Sequence, residues 1–326
     1  MHCLLNVAPA MVHSISERTS KHRPETYVPT SNHLPVMTQH YFTLFLILFL
    51  STCVSAQMTP EERPDIRNYD PKTEKVYAVK PWLEGGLGLG GMIVSTTLID
   101  QLRSKDKIDL SELDRDDVPG IDRWAFPASA EQREDAEASS DIFFNTSVLL
   151  PLTLFIDKKF RKDWVDITAL YIETHALSSL TYAASPMGPL FIDRTRPVAY
   201  YEDVDDGLRA TGNSRNSFFS GHVSTTAVGT FFFTKVLSDY NPQWSGKQRA
   251  LAFTLASLPP AFVAVQRVRA LKHFPTDTVV GMGVGAFFGI MTPHLHKRWQ
   301  MKHRTRLSLG GSYHNGTGVG GMTLTF

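Results

Sequence analysis

The chain has 326 residues, 42% of them hydrophobic and 20% charged, with a formal net charge of +1. That balance is ordinary for a globular protein and carries no basic excess to suggest nucleic acid as a partner. The two cysteines, Cys3 and Cys53, both precede a cleavage point after Ala56, so a processed chain has neither disulfides nor cysteine metal sites.

Mean hydropathy is −0.14, low for a polytopic membrane protein, but polar stretches at both ends pull that average down. Local segments are more informative. Residues 1–36 are polar and aperiodic, and read as disordered or as an extension ahead of a start at Met37. Tyr41 to Val54 is an apolar run of signal-peptide length, and Val54-Ser55-Ala56 before Gln57 suits signal peptidase, so 37–56 reads as an export signal. The other reading is an uncleaved anchor helix. Cys53 follows Leu50-Ser51-Thr52, a poor lipobox because Thr52 replaces Gly or Ala.

Residues 57–141 are expected to form a linker with peripheral helices. Within them, Gly85 to Ile99 is apolar but short and glycine-heavy, fitting a packed helix or an interfacial piece, and 102–141 is charged surface. Five apolar segments follow: 142–156, 165–182, 222–237, 251–268 and 278–292. Each is helix-length and rich in Gly, Ala, Ser and Thr, the residues that let membrane helices approach closely. Gly281, Gly285 and Gly289 recur every four residues, a helical stripe. Glu173 and His175 read as polar contacts inside a bundle.

Basic residues mark the connections after Ile156, before Leu251 and after Thr292. If the five segments alternate across a membrane, all three connections share one side, and the positive-inside rule makes that side cytoplasmic. Arg196, His222 and His273 then share the periplasmic side. The tail 298–326 opens on a basic run, and from Thr305 it alternates around Gly-Gly and Asn-Gly turns, as a β-hairpin would.

The chemistry gathers between Arg194 and Asp277. Ser220-Gly221-His222 opens a helical segment, where free N–H groups and the helix dipole favour an anion and Gly221 lets the backbone approach. Plain N-capping by Ser220 is the simpler reading of that tripeptide. Arg267 ends one helical segment, and His273-Phe274-Pro275-Thr276-Asp277 opens the next, with Pro275 suited to a first helical position. An aspartate four residues after His273 can reach one imidazole nitrogen and leave the other free to attack phosphorus.

RTRP (194–197), SFFSGH (217–222) and RVRALKHFPTD (267–277) resemble, in order and largely in spacing, the three motifs KxxxxxxRP, PSGH and SRxxxxxHxxxD. Those are the signatures of the type 2 phosphatidic acid phosphatase and vanadium haloperoxidase superfamily. The resemblance covers 142–297 and implies an all-α bundle of five to six core helices, here transmembrane, with the hairpin appended. It implies His273 as the nucleophile that forms a phosphohistidine, Asp277 as its orienting partner, and His222 as acid on the leaving oxygen. Arg196, Ser220, Gly221 and Arg267 would hold the phosphate oxygens. No cofactor or metal is implied, because arginines supply the positive charge. The implied substrate is a lipid phosphate or diphosphate met at the periplasmic face of the inner membrane.

Three positions depart from the pattern. Phe219 replaces the Pro of the second motif, Gln266 replaces the Ser of the third, and Pro189 stands where the first motif has its lysine. The first two shape turns; the third removes a phosphate cation. Arg194, two residues from Arg196, is the candidate to supply the lost charge. Alternative readings are a soluble periplasmic acid phosphatase, a vanadate-dependent haloperoxidase, and a membrane protein keeping the pocket only to bind lipid phosphate. His294 and His296 read as interfacial residues at a helix end, because no third metal ligand is in view. Arg269 and Lys272 could attract an anionic substrate or meet headgroups, and Tyr200 and Tyr201 could line the entrance or pack.

Overall fold

The computed structural model describes residues 70–302 apart from 73 and 127–129, together with the backbone of 306–314 and 317–325. The expected export signal lies outside the described residues.

Six long helices form the body: α1 (Pro81–Arg103), α2 (Arg133–Leu149), α3 (Trp164–Ala184), α4 (Gly221–Asp239), α5 (Gly246–Arg269) and α6 (Pro275–Lys302). Local chemistry sets their starts. Pro81 occupies the first turn of α1, Ser220 caps α4, and Ser245 with Gln248 makes a capping box on α5. A 3-10 stretch, Leu150–Ile156, prolongs α2. The helical expectation holds, and the observed helices overrun most of the expected apolar segments by a few residues because capping and polar end turns carry no hydropathy signal.

Two details correct the expected layout. The boundary placed at 142 cuts through α2, whose first turns carry Glu134, Glu137 and Asp141 and so look like charged linker by composition. The glycine-heavy stretch at 85–99 is the middle of a 23-residue helix that packs along α3. Glycine makes that packing possible, since a Cβ on Gly88 would lie 3.0 Å from the main-chain nitrogen of Glu173.

Buried α4 is the axle of the bundle, wrapped by α2, α3, α5 and α6. The stripe on α6 faces it closely: a Cβ on Gly285 would meet the Ser224 carbonyl at 2.1 Å, and one on Gly281 the Ser220 carbonyl at 2.5 Å. Small residues therefore bring two backbones together where larger ones would hold them apart.

Among the described residues, four helices are long and apolar enough to cross a membrane: Pro81–Arg103, Arg133–Ile156, Gly246–Arg269 and Pro275–Met301. Their outward faces expose Leu87, Ile93, Ile142, Leu255, Leu258 and Val279, as a lipid-facing surface requires. At one end of the bundle Trp82, Trp164 and Trp299 are exposed beside Lys158, Lys159, Arg161 and Arg298. Aromatic and basic residues of this kind concentrate where helices meet a membrane–water interface.

Helix directions alternate. The segment before α1 is held at that basic end, where Ala78 and His296 exchange main-chain and ring contacts and Tyr77 donates to Asp239 at 3.1 Å. The opposite end of the bundle gathers the C-termini of α1, α3 and α5 and the N-termini of α2, α4 and α6. If all six helices cross, residue 80 lies on the basic side, opposite that end. A cleaved signal and a positive-inside arrangement then exclude each other.

Candidate active site

Every motif residue comes to the end of the bundle opposite the tryptophans. His273 sits in the short connection between α5 and α6 and is 2% exposed. Its Nδ1 faces the main-chain carbonyl of Ser217 at 2.6 Å. A carbonyl can only accept, so Nδ1 must carry the proton, and in the neutral ring Nε2 keeps its lone pair. Burial, then the charges of Arg196 and Arg267, push His273 well below its ordinary value. The ring is therefore neutral and nucleophilic around pH 7.

Asp277 orients this ring at one remove, where direct contact was expected. Its Oδ2 accepts from the Ser217 hydroxyl at 2.6 Å and from the main-chain N–H of Phe274 at 2.8 Å. One carboxylate thus fixes both the residue that holds the imidazole and the residue after it. The four-residue spacing led to a helical i,i+4 contact, but His273 precedes the first turn of α6 and its ring turns toward Ser217 instead.

Arg194, the candidate to replace the lost lysine, is tied to carboxylates in this arrangement. One end of its guanidinium pairs with Asp277 and bonds Thr276 Oγ1 at 2.9 Å, and the other pairs with Asp122 at 2.5 Å. Asp122 is 1% exposed and also accepts from the main-chain nitrogen of Thr276 at 3.0 Å. Two carboxylates take up the charge of Arg194 and make it a brace behind the nucleophile.

Arg196 and Arg267 differ. Arg196 makes long contacts to the Asn216 carbonyl (3.3 and 3.4 Å) and to Asn213 Oδ1 (3.5 Å), with no carboxylate in pairing distance among the described residues. Arg267 is 4% exposed, and its Nε has no hydrogen-bond partner among the described residues. Its nearest carboxylate, Asp141, is 3.6 Å from Nη1, and Ser140 Oγ is 3.3 Å away. A buried cation left this under-paired is costly unless an anion completes it.

His222 is the second residue of α4. Its Nε2 is 3.5 Å from Asp141 Oδ1, and its ring lies against Phe144 with centroids 4.8 Å apart. Ser220 is fully buried and caps α4 by accepting from Val223 N at 3.5 Å, while its own N–H donates to the Asp277 carbonyl at 3.0 Å. The capping reading is met, and the long cap leaves the hydroxyl proton to a ligand. A Cβ on Gly221 would meet only the Tyr182 ring, at 3.7 Å, so packing alone does not demand glycine there.

The motifs did not disclose Ser217, Asp122 or the acidic face of α2. Ser217 works through its carbonyl, which no side-chain pattern reveals. Glu137 pairs with Lys272 at 2.9 Å, and Asp141 lies one turn further on the same face. Their i,i+4 spacing beside Phe144 was the available signal. Lys272 is thus tied to Glu137, and Tyr200 and Tyr201 pack around Phe126 in small clusters flanking the α5–α6 connection. Of the residues first read as polar contacts, Glu173 pairs with His296 at 3.1 Å at the other end of the bundle.

An apolar helical bundle whose end presents two histidines, a helix N-terminus and two under-paired arginines is a membrane-associated site for a phosphate-bearing substrate. Residues 167–301 match the family model of the PAP2 superfamily. That match supports a phosphoric ester hydrolase. No curated protein and no solved structure matches the chain.

Proposed function

We propose that the protein hydrolyses a lipid phosphate or diphosphate through a phosphohistidine intermediate, at the face of the membrane opposite its basic connections. The observation that carries this reading is the pair of under-compensated guanidiniums, Arg196 and Arg267, beside a His273 fixed as the Nδ1–H tautomer.

In the first step the phosphate oxygens occupy Arg196, Arg267 and the free N–H groups at the start of α4. The Nε2 lone pair of His273 forms the N–P bond as the bond from phosphorus to the leaving oxygen breaks. His222, protonated, gives its Nε2 proton to that oxygen. In the free site burial first, then Arg267 and Arg196, push His222 down to about 3, so its acid form depends on the incoming phosphate dianion, which offsets those cations, with Asp141 3.5 Å away adding to it. In the second step a water gives a proton back to His222 and attacks phosphorus, the N–P bond breaks, and inorganic phosphate leaves with His273 restored.

The apolar outer faces of α1, α2, α5 and α6 support a lipid substrate. Its headgroup would lie at the depth of the site while its chains stay in the bilayer.

The test is phosphate release by purified protein from a panel holding phosphatidic acid, a phosphorylated glycerophospholipid and a polyprenyl diphosphate. The expected result is turnover of at least one lipid, lost in His273→Ala. Turnover that survives His273→Ala overturns the mechanism, and no turnover of any lipid or soluble ester overturns the activity.

A further inference from the structure

The cations around the site sort by their partners. Arg194 is held by Asp122 and Asp277, Lys272 by Glu137, and Arg215 by Asp193 at 2.6 Å. Lys105 is held by Asp193 at 2.7 Å and by the carbonyl of Pro189 at 2.5 Å. Each has a close carboxylate that competes with any incoming anion. Arg103, like Arg196 and Arg267, is held more loosely. It belongs to the last turn of α1, and its only acidic neighbour in pairing distance among the described residues is Asp100, 3.3 Å away, with both side chains mostly in solvent. Such an exposed i,i+3 pair holds its members weakly.

The backbone places Arg103 with less freedom than its exposure suggests. One residue before it, the Leu102 carbonyl accepts from Asn216 Nδ2 at 2.7 Å. Asn216 is 1% exposed, and its own carbonyl receives Arg196. Two residues after it, the Lys105 ammonium rests on the Pro189 carbonyl. Gly212 packs so close to the Lys105 carbonyl that an added Cβ would stand 1.9 Å from it. The end of α1 is therefore pinned between the acceptor of Arg196 on one side and position 189 on the other. Position 189 itself offers no charge.

We infer that Arg103, supplied by a helix outside the family-matched stretch, is the third cation of the phosphate site and contacts the phosphate oxygens on the side of Arg196. Its charge already bears on Arg196, whose guanidinium is pushed down from its ordinary value by burial first and by Arg103 in the same direction. Like charges this near gain from a shared anion. On phosphate binding Arg103 exchanges Asp100 for the phosphate, which costs little because that pair is exposed.

This inference rests on the phosphate reading of the site, and its test reads anion binding separately from turnover. Orthovanadate and inorganic phosphate serve as probes, and binding to purified protein is measured for wild type, Arg103→Ala, Arg103→Lys and Asp100→Asn. Arg103→Ala is expected to weaken both anions about tenfold, as for one charge-assisted contact. Arg103→Lys should recover most of that loss, and Asp100→Asn should bind as tightly as wild type or more tightly. With lipid substrate, Arg103→Ala should raise KM more than it lowers kcat. Binding of both anions within twofold of wild type in Arg103→Ala overturns the inference. So does an equal loss in Arg103→Lys, which would mark a role in holding the end of α1. Wild type that binds vanadate without releasing phosphate from any ester overturns the enzymatic reading alone.

Discussion

The Ser217 carbonyl faces His273 Nδ1 at 2.6 Å, and the hydroxyl of the same serine donates to Asp277 at 2.6 Å. One residue thus links the nucleophile to the carboxylate that steadies it. Ser217→Ala keeps the carbonyl and removes only the hydroxyl, so kcat should fall about tenfold with KM nearly unchanged, from the loss of one buried charge-assisted bond. Asp277→Ala should cost about 3–5 kcal/mol of stability, because it strips a carboxylate from a buried pair with Arg194 and leaves two donors unsatisfied. Asp277→Asn separates the two roles: it should retain the fold yet lower kcat by about a hundredfold or more. Thermal melts and steady-state kinetics on the three variants check this order.

The depressed His273 has a pH signature. Its cause is burial first, with Arg196 and Arg267 adding to it. A base whose folded value lies below the ordinary ~6.5 stays neutral as pH falls through 6.5. The limb of kcat/KM that reports the nucleophile should therefore lie below pH 6.5 in the free enzyme. Between the folded value and ~6.5 the unfolded chain binds more protons at this site, so stability should decline as pH falls through that window. Removing a positive neighbour in Arg196→Met should move the nucleophile limb upward. Ring NMR of His273 showing an imidazolium at pH 6.5 would contradict this account.

How far the sequence disclosed this site depends on the kind of interaction. His273, His222, Arg196 and Arg267 were legible because each acts through its side chain at a fixed spacing from another. Ser217 was not, since a carbonyl has no sequence mark. Asp122 reaches Arg194 across 72 residues, and nothing local announces it. The partners of Arg194 were not legible, because charge alone cannot say whether an arginine faces a ligand or a carboxylate. The apolar segments disclosed most of the helices, whereas α1 was understated because glycines lower hydropathy where they permit close packing.

Three glycines test those two uses of the residue. Gly285→Ala would drive a Cβ to 2.1 Å from the Ser224 carbonyl and should destabilise the contact between α4 and α6 by about 1–3 kcal/mol. Gly283 has nothing within 4 Å of such a Cβ, so Gly283→Ala should be neutral or slightly stabilising. Gly221→Ala meets only ordinary contact with Tyr182, so it should fold normally yet weaken phosphate or vanadate binding, because the methyl group stands where the anion approaches α4. Melting curves beside anion binding distinguish the three.

His273→Ala should abolish phosphate release, and His222→Ala should lower it about a hundredfold on natural leaving groups. The second deficit should shrink with a nitrophenolate leaving group, which needs no proton. Chelators should leave activity unchanged, because arginines supply the charge at phosphorus. Reactions with labelled substrate quenched in alkali, where an N–P bond survives, should trap an N–P adduct in wild type and in His222→Ala but not in His273→Ala. Activity that vanishes with chelator and returns with a divalent ion would reverse this assignment.

Topology gives the last prediction. Residue 80 and the basic residue Lys158 share one end of the bundle, and Glu202 lies in the connection at the other end, where the motif residues gather. All three are exposed. In a background with Cys3 and Cys53 replaced by serine, single cysteines at Lys80, Lys158 and Glu202 report the sides. An impermeant thiol reagent on sealed right-side-out vesicles should label Glu202→Cys and spare the other two, and inside-out vesicles should reverse the pattern. Labelling of Lys80→Cys together with Glu202→Cys would mean that both ends of the bundle lie on one side of the membrane, against a crossing by α1 and its partner α3. That outcome would restore compatibility between a cleaved signal at Ala56 and a site on the exported face. Labelling of Lys80→Cys with Lys158→Cys makes 41–54 an anchor or another crossing, because a cleaved export signal would leave residue 80 on the exported side.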